Sequence, residues 1–199
     1  SPSATTQTTC QLEFQLTKDQ VVRPADTKEQ APLHILSYDL ECNLRTVNNK
    51  LVFPEPEIDP IITIGVVHSS GKAVFCLHET NPIEGVDVHH FPTEQEMLSA
   101  FNAYLVTYDP DFIIGHNVNR FDNVYYEKRC IHHGIKMGWS RMSGHACQVK
   151  KIVTKSNQKG TREVFRLDLP GRVILDSYEK FREDHNLRSY KLNELGKHF

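Results

Sequence analysis

The chain has 199 residues, 39 % of them hydrophobic, and a formal net charge of −2. That length suffices for one domain with a sizeable core, and the near-neutral balance means that any affinity for nucleic acid has to come from a local patch. The five cysteines are odd in number and scattered, with no Cys-x-x-Cys pair, which points to a reduced, intracellular protein rather than a disulfide scaffold; no apolar run approaches the ~20 residues of a membrane helix, so no membrane partner is expected.

Residues 1–9 are Ser/Thr-rich without apolar periodicity and lack a signal-peptide core. Leu12, Phe14 and Leu16 alternate, which predicts a short strand within 11–22, and the proline-flanked polar stretch 23–32 reads as a connector. Ile35 to Leu40 is an apolar run that ends in Asp39-Leu40-Glu41. If it is a strand, Asp39 and Glu41 share one face. Adjacent carboxylates repel and resist desolvation, which a divalent cation between them would relieve. Asp-x-Glu alone is also what a solvated strand edge looks like.

Asn48-Asn49-Lys50 predicts a turn, and Phe53 to Pro60 is too rich in proline for a helix or central strand, which leaves a stiff extended loop. Ile61 to Val67 predicts a strand buried on both faces, with Ser69-Ser70-Gly71 turning into a third strand over Ala73 to His78. His89 and His90 read as loop residues. Thr93-x-x-Glu96 has the form of a capping box, and Met97, Leu98, Phe101, Leu105 and Tyr108 follow at helical spacing, predicting a helix over 93–108 with a core-facing stripe. Asp109-Pro110-Asp111 stops it, and Phe112 to Gly115 predicts a buried strand. A second helix is expected over roughly 121–133, ended by Gly134. Asp122 falls in its first turn, where it either complements the helix dipole or reaches back to the acid pair.

Residues 148–172 have the pattern of a β-hairpin about a turn at 156–160. Lys150, Lys151, Lys155, Lys159, Arg162 and Arg166 make it basic, which suits either a phosphate backbone or an ordinary charged edge. Val173 to Asp176 predicts a strand, 177–184 a helix, and Ser189 the cap of a last helix. Cys130, His132, His133, His145 and Cys147 cluster in sequence, but their spacing fits no familiar zinc pattern.

Three strings carry a resemblance. Leu36-Ser37-Tyr38-Asp39-Leu40-Glu41-Cys42, with Phe53 to Ile62 after it, resembles the first exonuclease motif of family B DNA polymerases, especially delta-like and viral members. Asp109 to Asn117, closing on Phe121-Asp122, resembles the second. Gly171 to Asp176, then Leu187 to Asn193, resembles the segment that follows the hairpin in that family. His116 departs from the Tyr often found there. The resemblance implies an α/β, RNase H-like (DnaQ-like) 3′–5′ exonuclease fold over 33–199, with a mixed central sheet, flanking helices and an inserted β-hairpin, and 1–32 as an extension from an N-terminal domain. It implies Asp39, Glu41 and Asp122 as ligands of two Mg²⁺ or Mn²⁺ ions, and Asn117, Phe121 and Leu40 as the substrate pocket. The hairpin with Lys150, Lys151, Lys155, Lys159 and Arg162 would contact DNA.

The implied activity is proofreading, the hydrolysis of mispaired 3′ ends of primer-template DNA, with the remaining polymerase domains as partners, in the nucleus or at a viral replication site. The family's third motif, a Tyr followed by three residues and an Asp, lies in relatives beyond the Ser189-Tyr190-x-Leu192-Asn193 helix; neither Tyr104-x-x-x-Tyr108 nor Tyr178-x-x-x-Arg182 supplies it. The chain by itself is therefore expected to bind metal weakly and to have little activity. A stand-alone DnaQ-like exonuclease and a docking module without chemistry are the competing readings.

Overall fold

The computed structural model describes residues 13–22, 28, 30–156 and 160–199. Six strands form one mixed sheet: β1 (Ile35–Cys42), β4 (Ile61–His68), β5 (Gly71–Leu77), β6 (Asp87–Phe91), β7 (Phe112–Gly115) and β10 (Val173–Asp176), in the spatial order β10-β7-β1-β4-β5-β6. β10, β7 and β1 run parallel. β4 is antiparallel to both β1 and β5, and β6 lies parallel to β5 at the far edge. The short pair β2 (Thr46–Val47) and β3 (Lys50–Leu51) turns at Asn48 and Asn49, both at positive φ, a conformation asparagine tolerates. β8 (Gln148–Ser156) and β9 (Gly160–Asp168) form a separate two-stranded hairpin. The helices are α1 (Glu94–Tyr108), α2 (Asp122–His132), α3 (Ser177–Asp184) and α4 (Leu192–His198).

The period-two reading of β1 holds: Leu36, Tyr38, Leu40 and Cys42 are buried, while Asp39 and Glu41 are exposed on the opposite face. The apolar stripe of α1, Met97, Leu98, Phe101 and Leu105, is fully buried against the sheet. Thr93 caps α1 by accepting from the Glu96 N–H at 3.2 Å. The other half of the box differs from expectation, because Glu96 bonds the Thr93 hydroxyl rather than its backbone. Trp139 sits at the centre of an aromatic cluster, with ring centroids 4.7 Å from Tyr126, 5.4 Å from Tyr38 and 5.6 Å from Phe101. Each such fully buried apolar side chain stabilises the fold by about 1.5–3 kcal/mol.

Five further sequence expectations need correction. Ile61–His68 is buried on one face only, with Ile62 and Val67 exposed, because strand alternation, together with the register slip opposite Glu41 and Cys42, leaves those side chains on the uncovered face of the sheet. Within 11–22, Phe14 forms only an isolated bridge and residues 18–20 a 3-10 turn; Phe14 and Leu16 stay exposed, because alternation without a core face to cover does not make a strand. Leu12 lies outside the described residues. The Phe53–Pro60 loop is folded back rather than extended, since both Ile58 and Asp59 donate to the Glu55 carbonyl, at 3.0 and 2.8 Å. His89 and His90 belong to β6, whose pairing with β5 overrides a sequence weak in apolar alternation. The last helix starts at Leu192, with Ser189 accepting from the Lys191 N–H before it.

A buried ion pair fastens the proline loop and α1 to α2. Glu94 accepts from Arg129 through Nε at 2.9 Å and through Nη2, from the His133 ring at 2.7 Å and from the Ile61 N–H at 2.8 Å. Arg129 also donates to the Pro56 carbonyl. Burial by itself would raise the Glu94 carboxyl, but these donors outweigh it and hold the pKa below its ordinary value. A carboxyl depressed on folding contributes stability above its unfolded pKa and loses it as pH falls through the folded one. Glu94→Gln is therefore expected to unfold at lower denaturant, by about 3 kcal/mol at neutral pH, and to flatten the acid limb of the stability–pH curve; urea titrations from pH 3 to pH 7 read both.

Candidate active site

β1 pairs with β7 only through Ile35–Ser37, yet pairs with β4 as far as Cys42. The second half of β1 therefore overhangs β7, with one edge open. Asp39 and Glu41 lie on this overhang, beside a register slip between Glu41 and Cys42, and irregularities of this kind recur next to active sites. The C-terminal ends of the parallel strands β1, β7 and β10 lie side by side, the usual place for ligands in such sheets.

Asp122 closes the open edge. It is buried at 2 % exposure, and its Oδ1 accepts from the Leu40 N–H at 3.1 Å. Burial, and next the negative charge of Asp39, push its carboxyl up to about 7. Asp39 is itself raised, chiefly by desolvation from the surrounding crevice walls, with the Leu40 N–H and His116 pulling the other way. Glu41 makes no hydrogen bond or ion pair among the described residues. Position in sequence left the role of Asp122 open; in the fold its carboxyl bonds the Leu40 N–H of the acid-bearing strand and also its own N–H in the first turn of α2.

Among the described residues, no three His, Cys, Asp or Glu side chains are gathered into a ready-made metal cluster. The donor set nevertheless fits a hard divalent cation. It is all carboxylate, partly desolvated and mutually repelling, so a cation offsets the strain that raises Asp39 and Asp122.

Asp176, at the end of β10, plays a different part. Its Oδ1 accepts from the N–H groups of Asn117 at 2.9 Å and Tyr178 at 3.0 Å, and its Oδ2 from Asn119 at 3.0 Å. A carboxylate committed to this many backbone donors caps α3 and holds the 116–119 loop. Asn117 takes a left-handed φ of 65° there. Gly115, just before, is required by close approach: a Cβ would lie 2.0 Å from Val118 Cγ1 and 3.1 Å from the Tyr38 carbonyl. His116 donates through Nε2 to the Tyr190 carbonyl at 2.9 Å, and its Nδ1 is hydrogen-bonded to the Ser177 hydroxyl at 3.0 Å. It ties the segment before α4 to the crevice.

A buried polar chain backs the site, and sequence reasoning missed it. Tyr38 donates to Asn123 at 2.6 Å, Asn123 to Asn119 at 3.4 Å and Asn119 to Glu179 at 3.1 Å; Glu179 in turn accepts from Arg166 on β9 at 3.0 Å. Asn123 directly follows Asp122, and an Asn at a core-facing helix position was the one available signal.

The remaining predicted residues divide. Phe121 stands edge-on to Phe53 of the proline loop, ring centroids 5.5 Å apart, and forms one wall of the crevice. Leu40 is 5 % exposed within the core, so its side chain faces away from the acids. Lys150 pairs with Asp168 at 2.8 Å and Lys151 with Glu163 at 2.7 Å. Lys155 and Arg162 lie on β8 and β9; Lys159 is outside the described residues. Of the cysteine–histidine cluster, Cys130 and Cys147 are packed in the core, His133 turns to Glu94 and His145 to Asp168.

The two buried aspartates separate in one experiment. Asp122→Asn keeps an acceptor for Leu40 and removes a buried charge, so in EDTA its unfolding midpoint is expected to rise. Asp176→Asn turns one acceptor oxygen into a donor facing an N–H, and is expected to cost about 1–3 kcal/mol. Denaturant titrations of both variants check the contrast.

Residues 2–195 match the family described as DNA polymerase family B, exonuclease domain. The chain is 36 % identical over 204 residues to the DNA polymerase delta catalytic subunit of Glycine max, covering 96 % of the chain and 18 % of that protein. It is 35 % identical, with the same coverage of both, to that of Schizosaccharomyces pombe. It thus spans less than a fifth of the length of these relatives. A family B DNA polymerase from the archaeon Pyrobaculum calidifontis superposes with a TM-score of 0.60 at 22 % identity, over 87 % of the chain and 19 % of that structure. The matched residues run through the overhanging acid pair, the loop after β7 and the inserted hairpin, and the chain belongs to the exonuclease domain family of the family B DNA polymerases, of the delta-like kind.

Proposed function

We propose that this domain is a 3′–5′ proofreading exonuclease that hydrolyses the phosphodiester bond at mispaired DNA 3′ ends, as part of a DNA polymerase. The observation that carries the reading is the convergence of Asp39 and Asp122 on the open edge of β1, with Glu41 on the same face, inside a family B exonuclease fold. Asp39, Glu41 and Asp122 would hold Mg²⁺ or Mn²⁺. Two such ions, when bound, supply a water of lowered pKa and stabilise the departing 3′ oxygen.

The chain's own residues do the rest. Asp122 holds the overhang of β1 through Leu40 and so sets where Asp39 points. Phe121 and Phe53 offer aromatic faces to a terminal base, Asn117 offers its amide, and Leu40 backs the acids from the core side. A mispaired end frays at lower cost than a paired one, which favours its entry into the crevice. The partners are then the DNA primer-template and the other polymerase domains, at the place of DNA replication, the nucleus or a viral replication site.

Residues 1–199 alone are a weak enzyme in this reading. Asp176 is committed to backbone donors, and among the described residues no three metal-ligating side chains form a ready-made cluster. Mn²⁺ calorimetry on the chain is expected to show weak binding that Asp39→Ala abolishes, with little degradation of a 5′-labelled single strand. Metal affinity unchanged in Asp39→Ala would favour a docking module without chemistry, and rapid Mg²⁺-dependent degradation would refute the weakness of the isolated chain.

A further inference from the structure

The arginines whose side chains are described fall into two groups. Arg45, Arg129, Arg141, Arg166 and Arg172 are each tied to a carboxylate within the fold. Arg120, Arg182 and Arg188 are exposed and have no such ion pair among the described residues. These three line two adjoining cavities that share Tyr178. One, of about 550 Å³, lies between β9 and α3 and is bordered by Arg120 and Arg182. The other, of about 530 Å³, runs past Arg188 to His116 and Asn117 in the crevice. Arg182 stacks over the rings of Tyr178, at 5.5 Å, and Tyr190, at 6.0 Å. The acids bordering the first cavity are Glu179, already held by Arg166 and Asn119, and Glu183.

We propose that this arginine–tyrosine cleft binds the single-stranded DNA segment that trails behind the 3′ end. The proposal rests on the exonuclease reading for the direction of the strand. Grooves for single strands combine cations that track phosphates with aromatic faces that take bases. A guanidinium stacked on tyrosine rings keeps its N–H edges free for a phosphate. The cleft meets these needs and opens onto Asn117, whose loop leads into Asp122. Lys150 and Lys151 of the hairpin meet them less well, since they are paired with Asp168 and Glu163 on the facing strand.

Fluorescence anisotropy of labelled oligo(dT), across a KCl series in EDTA, tests the assignment on the full chain. Each phosphate contact on a single strand contributes about 0.7 to the slope of log affinity against log salt. Arg120→Ala/Arg182→Ala is expected to weaken binding about tenfold at fixed salt and to lower the slope by about 1.4. Lys150→Ala/Lys151→Ala is expected to leave the slope unchanged. Arg182 packs on two rings, so Arg120→Ala serves as the second variant, because the Arg120 side chain has no ion pair among the described residues; the expected loss is about 0.7 with an unchanged circular dichroism spectrum. Equal slopes in parent and arginine variants, a slope lost instead in the lysine variant, or no oligo(dT) binding by the parent chain would each overturn the cleft. Because EDTA removes the metal, a failure of the nuclease reading shows in the Mn²⁺ titration and leaves these slopes as they are.

Discussion

The structure depends on a mismatch of strand lengths. β7 stops pairing with β1 at Ser37, while β4 carries β1 on to Cys42. Beyond Ser37 the strand keeps sheet geometry but has one edge without a neighbouring strand. An unpaired N–H near the core is costly, and Asp122 meets the need at Leu40. The same hydrogen bond draws a buried carboxyl towards Asp39. The protein thus accepts a local electrostatic penalty, visible in the raised pKa of Asp122, at the point where a cation would offset it.

The surroundings of that edge are stiff. Asp176 gathers the loop after β7 and the start of α3 onto one carboxylate. Gly115 lets Val118 and the Tyr38 carbonyl approach more closely than any side chain would allow. The chain from Tyr38 through Asn123 and Asn119 to Glu179 continues to Arg166, so the base of the hairpin is joined to the strand bearing Asp39 by hydrogen bonds rather than by sheet pairing. Satisfied buried polar networks specify one arrangement at high cost to alternatives. The Glu94–Arg129 pair does the same for the proline loop, which brings Phe53 to Phe121.

Charge is distributed with equal definition. A net charge of −2 conceals a separation between arginines paired within the fold and the exposed arginines that line two adjoining cavities around Tyr178. Two of the lysines that make the hairpin look basic, Lys150 and Lys151, are answered by acids on the facing strand. Counting cations along a segment therefore overstates its field, because cross-strand pairing is invisible in one dimension.

What the sequence determined by itself was whatever is written in local periodicity and local chemistry. The alternation in Leu36–Cys42 put Asp39 and Glu41 on one face, the stripe from Met97 to Leu105 made α1, Asp109-Pro110 ended it, and Asn48-Asn49 made a turn; the motif strings around Asp39 and Asp122 were specific enough to indicate the family. Tertiary structure decided the rest, because it depends on which groups lack a partner once strands are placed. Strand β6 exists because β5 had an edge to fill. Asp122 faces β1 because Leu40 had an N–H to satisfy, whereas the Asp176 carboxylate, at the end of β10, is taken up by backbone donors. Which arginines stay free, and which lysines do not, follows from neighbours far away in the chain, and no spacing along it encodes them.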